Sequence, residues 1–224
     1  MRERTIRVTG TGKVSIKPDI AIINLRFDNL LPTYELALKS SADDVAVVKD
    51  AIEKAGIERE SLKTTNFDID THYHSIKDEH GNYKSVFDGY KYNQSLRFQF
   101  DVDNKLLGSI LYQLSKLNIN VEFNLKYGVK DSEKAKNMLL CDAIQDAMKK
   151  ASIIAKAANV ELNEIVDINY SWVDFEFHTR SYDIEDGELC KCCAAPAPGS
   201  RYDIDIEPED IDRSDNVTIV YSIK

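Results

Sequence analysis

A chain of 224 residues, 43% hydrophobic and 30% charged, can build one substantial core or two small lobes without disulfide or metal support. Its formal charge of -9 is local: residues 173–215 hold 13 acidic and 4 basic side chains, which leaves 25 of each elsewhere and no clustered basic footprint for a nucleic acid. No apolar run reaches the length of a membrane span, and MRERTIRVTG enters a strand pattern without an apolar leader. The expected location is therefore cytoplasmic, or periplasmic if a leader has been removed.

The first ribbon runs from Thr5 to Phe27. Ile6, Val8, Gly10, Gly12, Val14 and Ile16 alternate with Arg7, Thr9, Thr11, Lys13 and Ser15, as in a strand with one buried face. Two glycines on that face invite the close approach of another backbone or helix. Pro18-Asp19 supplies turn chemistry, and Ala21, Ile23, Leu25 and Phe27 follow, so a long antiparallel hairpin is expected.

A helix opens at Pro32-Thr33, with Tyr34, Leu38, Ser41, Val45, Val48, Ile52 and Ala55 as its apolar stripe and Gly56-Ile57 as its stop. Phe67 to Tyr73 and Tyr90 to Val102 alternate as two strands joined through a polar tip at His80-Gly81-Asn82. A short helix after Asp103-Asn104 turns Leu107, Ile110, Leu111, Leu114 and Leu117 inward, and Ile119 to Tyr127 is a further strand. The longest helix spans about Ser132 to Ala158, capped by Asp131 or Ser132 and ended at Asn159. Its Leu139, Ala143, Ala147, Ala151 and Ala155 form a ridge of mostly small residues, and Gly10 and Gly12 are the expected surface beneath it. Glu164 to Trp172 and Val217 to Ile223 read as the last two strands. The segment between them, about 173–215, is expected to be an irregular, mobile acidic insertion. The order implies an α+β fold: antiparallel sheet with helices packed on one face, as two helix-on-sheet halves of a single domain over residues 1–224.

VTGTGKVSIKPDIAIINL, the helix ending AGI, Gly89-Tyr90 opening a strand, VEFNLKYGV, the helix ending AKAANV and the closing VTIVYSI together resemble the SIMPL-domain family, in order and over nearly the whole chain. The resemblance implies an α+β fold of antiparallel sheet and helices and brings no catalytic residues. It also implies a family in which some bacterial members form oligomeric rings, some are tied to oxidative-stress tolerance, and an animal member is linked to kinase signalling.

Candidate chemistry is sparse. Gly10-Thr11-Gly12-Lys13 lacks the third glycine of a dinucleotide loop and the first glycine of a Walker loop, and strand alternation continues where either motif needs a helix. Cys190, Cys192 and Cys193, with Lys191 favouring thiolates, are the candidate ligands for zinc or another soft metal, or a redox-responsive cluster. The competing reading is an exposed loop rich in reduced cysteines, since structural zinc uses two separated pairs and Cys141 stands alone. His72 and His74 share a strand face in chelate-like spacing but have no carboxylate at fixed sequence distance. The acidic run at 203–215 lacks calcium-loop spacing, and no Gly-x-Ser-x-Gly elbow occurs. The expectation is a non-enzymatic protein without a cofactor, acting as a homo-oligomer or through a protein partner, with metal or redox response through the cysteines as the alternative.

Overall fold

The computed structural model describes residues 4–77, 82–170, 177–179, 182–184 and 205–224. In chain order the elements are β1 (Thr5–Ile16), β2 (Ile20–Leu31), α1 (Tyr34–Ala55), β3 (Lys63–Lys77), β4 (Tyr83–Asp101), α2 (Asn104–Leu114), β5 (Val121–Gly128), α3 (Ser132–Ala158), β6 (Leu162–Asn169), β7 (Tyr182–Ile184) and β8 (Ile211–Ile223). They make an α+β fold with two sheets, ordered β1-β8-β6 and β3-β4-β2-β5-β7. The chain divides into two compact units, one drawn from residues 1–19, 128–179 and 208–224 and the other from 20–127 and 180–207.

In the first unit β1 and β8 pair antiparallel from Thr5↔Ser222 to Ile16↔Ile211. Period-two alternation puts Val8, Val217, Ile219 and Tyr221 on one face, where Ala143, Ala147 and Ala151 of α3 close over them. The ridge at steps of four meets the two glycines, as their residue types demand. A Cβ on Gly10 would lie 2.1 Å from the Ala143 carbonyl oxygen, and one on Gly12 would lie 2.1 Å from that of Leu139. The helix starts where Asp131 accepts the Lys134 N–H at 2.9 Å and ends where Asn159 turns left-handed at φ 54°. A smaller cluster of Ala135, Phe177 and Ile211 packs beside Val14 and Ile16.

In the second unit β2 pairs antiparallel with β4 from Ile20↔Asp101 to Leu31↔Tyr90. Ile23, Leu25, Phe27, Tyr92, Leu96 and Phe98 meet Val48 and Ile52 of α1 and Leu107, Ile110 and Leu111 of α2 in one core. Gly56 ends α1 at φ 105°, and Ile57 folds back onto the core with its N–H on the Ile52 carbonyl at 3.2 Å.

Four expectations need correction. β1 and β2 do not form a hairpin: β1 pairs with β8 and β2 with β4. Asp19, between the two strands, is tied to the end of β5, its N–H on the Gly128 carbonyl and its carboxylate on the Lys130 N–H. On α1 the buried stripe is Ala37, Ser41, Val48, Ala51 and Ile52, while Tyr34 and Leu38 are exposed. Ser41, Val48 and Ile52 of the expected stripe hold their place, with Val45 and Ala55 beside them, and the small Ala37 and Ala51, which periodicity of large residues overlooks, complete the contact. β8 begins at Ile211, inside the stretch expected to be irregular, because Ile211, Asp215, Val217 and Ile219 keep one parity down to the core. β6 begins at Leu162, two residues early, and the expected end at Trp172 lies outside the described residues.

Candidate functional site

Beyond Leu31, the last partner of Tyr90, β2 has ended, and among the described residues no third strand pairs with the continuing β3 and β4. Residues 72–77 and 83–89 therefore pair only with each other, as a two-stranded arm. Gly89 marks its root. Its φ is 150°, and a Cβ there would lie 2.4 Å from the Leu31 carbonyl oxygen, so only glycine lets β4 pass the end of β2.

Immediately before it the register slips: His72 pairs with Gly89 but Tyr73 pairs with Phe87, leaving Asp88 as the extra residue of a bulge. The slip re-sorts side chains between the two faces. Phe87 and Tyr90, three apart in sequence, fall on the same face, and ring contacts run Tyr73 to Phe87 at 5.6 Å, Phe87 to Tyr90 at 5.5 Å and Tyr90 to Tyr34 at 5.8 Å, all edge-to-face. Tyr83, pairing with Lys77 further out, extends this face and is 75% exposed. Tyr73 and Phe87 are about half exposed, at 53% and 46%. The opposite face carries His72, His74 and Asp88, with the Asp88 carboxylate 3.1 Å from His72 Nδ1 and 3.2 Å from His74 Nδ1.

Where β4 re-enters the core, the Tyr92 hydroxyl donates to the Asp44 carboxylate of α1. Burial, and then the bond to Asp44, push the Tyr92 hydroxyl well above its ordinary value. This pair pins α1 to the sheet at the inner end of the strand that forms the arm.

The first unit has a second exposed surface. At one edge of its sheet, the free backbone groups of β1 are occupied by α3. The Thr11 N–H donates to Asp146 at 2.7 Å, the Lys13 N–H to Asp142 at 2.9 Å, and Lys150 Nζ donates to the Thr9 carbonyl at 3.1 Å. Four residues of helix rise about 6 Å and two of strand about 7 Å, so side chains at 142, 146 and 150 stay in step with backbone at 13, 11 and 9. Asp146 sits below the usual carboxylate range, held first by Lys150 and then by the Thr11 N–H. At the other edge, β6 leaves Ile165, Val166 and Ile168 about half exposed, at 49%, 50% and 52%. Among the described residues, one edge is thus closed by charged side chains and the other is unpaired and apolar.

A depression beside the first turns of α3 is lined by Asp131, Glu133, Lys134, Asn137, Met138 and Cys141, and one beside β1 by Lys13, Val14, Ser15, Asp212, Arg213 and Ser214; neither has a histidine in its lining. Gly10 to Lys13 lie in mid-strand against the backbone of α3, with no helix N-terminus for an anion. Cys190, Cys192 and Cys193 lie outside the described residues. Among the described residues no group of three or more histidine, cysteine or acidic side chains could hold a metal ion.

A family model for SIMPL, described as a protein of unknown function (DUF541), matches residues 6–221. The chain belongs to the SIMPL family. Two similar relatives are the 26 kDa periplasmic immunogenic proteins of Brucella abortus (strain S19) and of Brucella melitensis biotype 1, each 30% identical over 165 residues. Each match takes in 73% of this SIMPL chain and 65% of the relative, a little under two thirds of the relative's length. Both relatives are periplasmic by name, which overturns the cytoplasmic expectation: the absence of an apolar leader from MRERTIRVTG does not determine the compartment. No described helix of the SIMPL chain is long and apolar enough to cross a membrane.

Sequence reasoning found His72 and His74 but missed Asp88, because a bulge changes which residues oppose each other. Its one trace is Gly89, a glycine inside an otherwise regular strand pattern, where bulges concentrate.

Proposed function

We propose that this SIMPL chain acts without a catalytic centre, through contacts between copies of itself made by the β3–β4 arm. The observation that carries the reading is the line of rings from Tyr73 and Phe87 on the arm to Tyr90 at its root and Tyr34 of α1, with no third strand paired to the arm among the described residues. A two-stranded ribbon alone is marginally stable in water, and exposed aromatic rings are favoured where a protein surface covers them. A second copy offers the same rings in self-complementary form, as a symmetric interface requires. The open edge of β6 supplies a further surface for strand or side-chain contact. Both compact units are parts of one domain in this reading, supported by a family match that runs from 6 to 221. The names of the Brucella relatives favour a periplasmic setting for the assembly.

Light scattering on the purified chain at micromolar concentration tests the reading. A mass that is a multiple of the 25.4 kDa chain is expected; a single 25.4 kDa species throughout would overturn it.

A further inference from the structure

The bulge at the root of the arm is held from β3 by two rings. His72 Nδ1 lies 3.1 Å from one oxygen of the Asp88 carboxylate and His74 Nδ1 lies 3.2 Å from the other, so a histidine on each side of the register slip grips the extra residue of β4. That slip decides which face Phe87 takes. Whatever fixes Asp88 therefore also fixes the ring contacts of Phe87 with Tyr73 and Tyr90. The other charged groups on the histidine face are Asp68 and Asp70 of β3, Lys84 and Lys91 of β4, and Arg26 and Asp28 of β2. Asp68 is bonded to Asn66 and Asn93, and Lys91 to Asp28 at 2.6 Å. The helices α1 and α2 lie on the opposite side of the sheet, against Leu25, Phe27 and Tyr92.

We propose that His72, His74 and Asp88 form a proton-operated latch, which orders the β3–β4 arm when both rings are charged and loosens it when they are neutral. A neutral imidazole has a single N–H and reaches Asp88 only in the Nδ1 tautomer; in the other tautomer a lone pair faces the carboxylate. A charged ring carries an N–H on both nitrogens, and its bond to a carboxylate is about twice as strong as a neutral one. Histidine changes charge between about pH 5 and 8. The latch is therefore closed at the acid end of that range and is lost as pH rises through it. The three side chains are between a third and a half exposed, so each bond is modest and screened by salt. A two-stranded ribbon is itself only marginally stable, so a modest bond shifts the ordered fraction of the arm. That the latch governs association between copies rests on the assembly reading; that it orders the arm does not.

The test is hydrogen exchange of the full chain at about pH 5.5 and about pH 7.5, near the two ends of the histidine range, with the intrinsic pH dependence of exchange divided out. Amides of residues 72–77 and 83–89 are expected to be about threefold or more better protected at the lower pH, while those of residues 21–27 in the core strand β2 stay unchanged. The pH difference should vanish in a His72→Gln, His74→Gln double variant. It should vanish equally in Asp88→Asn, which keeps both histidines and their charge and so separates the latch from a general effect of net charge. Equal protection of the parent arm at both pH values, or a difference that survives either variant, would overturn the latch. Sedimentation at the same two pH values reads the consequence: parent association tighter at the lower pH, and association of the double variant indifferent to pH. A parent at 25.4 kDa under both conditions would overturn the assembly reading, with the exchange comparison still deciding the latch.

Discussion

Gly10 and Gly12 act by what they lack. The α3 backbone lies so close to β1 that a side chain at Gly10 would fall within 2.1 Å of the Ala143 carbonyl and 2.4 Å of the Ala147 nitrogen, both backbone atoms that cannot rotate away. Gly10→Val should therefore cost about 3 kcal/mol or more, at the upper end for overpacking, and a urea midpoint equal to the parent's would refute the packing. Tyr92 offers a residue-scale test by pH. Its hydroxyl is held protonated in the fold by burial and by Asp44, whereas the unfolded hydroxyl titrates near 10.0. The stability it contributes is fully present below that value. It declines as pH rises further, because only the unfolded state then loses the proton. Tyr92→Phe should flatten the fall in stability between pH 9 and about 11, measured as urea midpoints, relative to the parent; parallel profiles would count against the bond.

At the scale of elements, the strands and helices were legible because their buried faces follow periods of two and of about four. The alanine ridge of α3 and the glycines of β1 could even be matched to each other from composition alone, since small residues on two surfaces imply that the surfaces lie close. What could not be read was pairing. The joining of β1 to β8 spans most of the chain, and no local signal distinguishes it from a hairpin with β2. Register was hidden as well: one extra residue, Asp88, moved Phe87 and Tyr90 onto a shared face and made a three-group cluster out of two histidines. The closure of the β1 edge by α3 also depends on placement, since Asp142, Asp146 and Lys150 look in sequence like an ordinary solvated helix face. Replacing Asp142 and Asp146 together by alanine should speed hydrogen exchange at the Thr11 and Lys13 amides. The Gly10 and Gly12 amides, which alternate toward β8, should keep their protection. Unchanged exchange at Thr11 and Lys13 would show that the carboxylates do not shield the edge.

At the scale of the whole molecule, the sequence offered only an absence of motifs, and the exposed surfaces were not legible. Tyr73 and Phe87 have strand parity and resemble core residues in sequence; their exposure follows from β2 ending at Leu31 while β3 and β4 run on, whereas Tyr90, which pairs with Leu31, packs against the core. The compartment was misread because a leader's absence from one stretch of sequence was given weight that similarity to periplasmic relatives overrides. The central claim is that the arm joins copies of the chain, and native mass spectrometry of the parent beside a Tyr73→Ser, Phe87→Ser double variant tests it most directly. Both substituted side chains are exposed in the single chain, so the variant should fold. The parent is expected at a multiple of 25.4 kDa and the variant at 25.4 kDa; a parent found only at 25.4 kDa, or a variant that assembles as the parent does, would contradict the account.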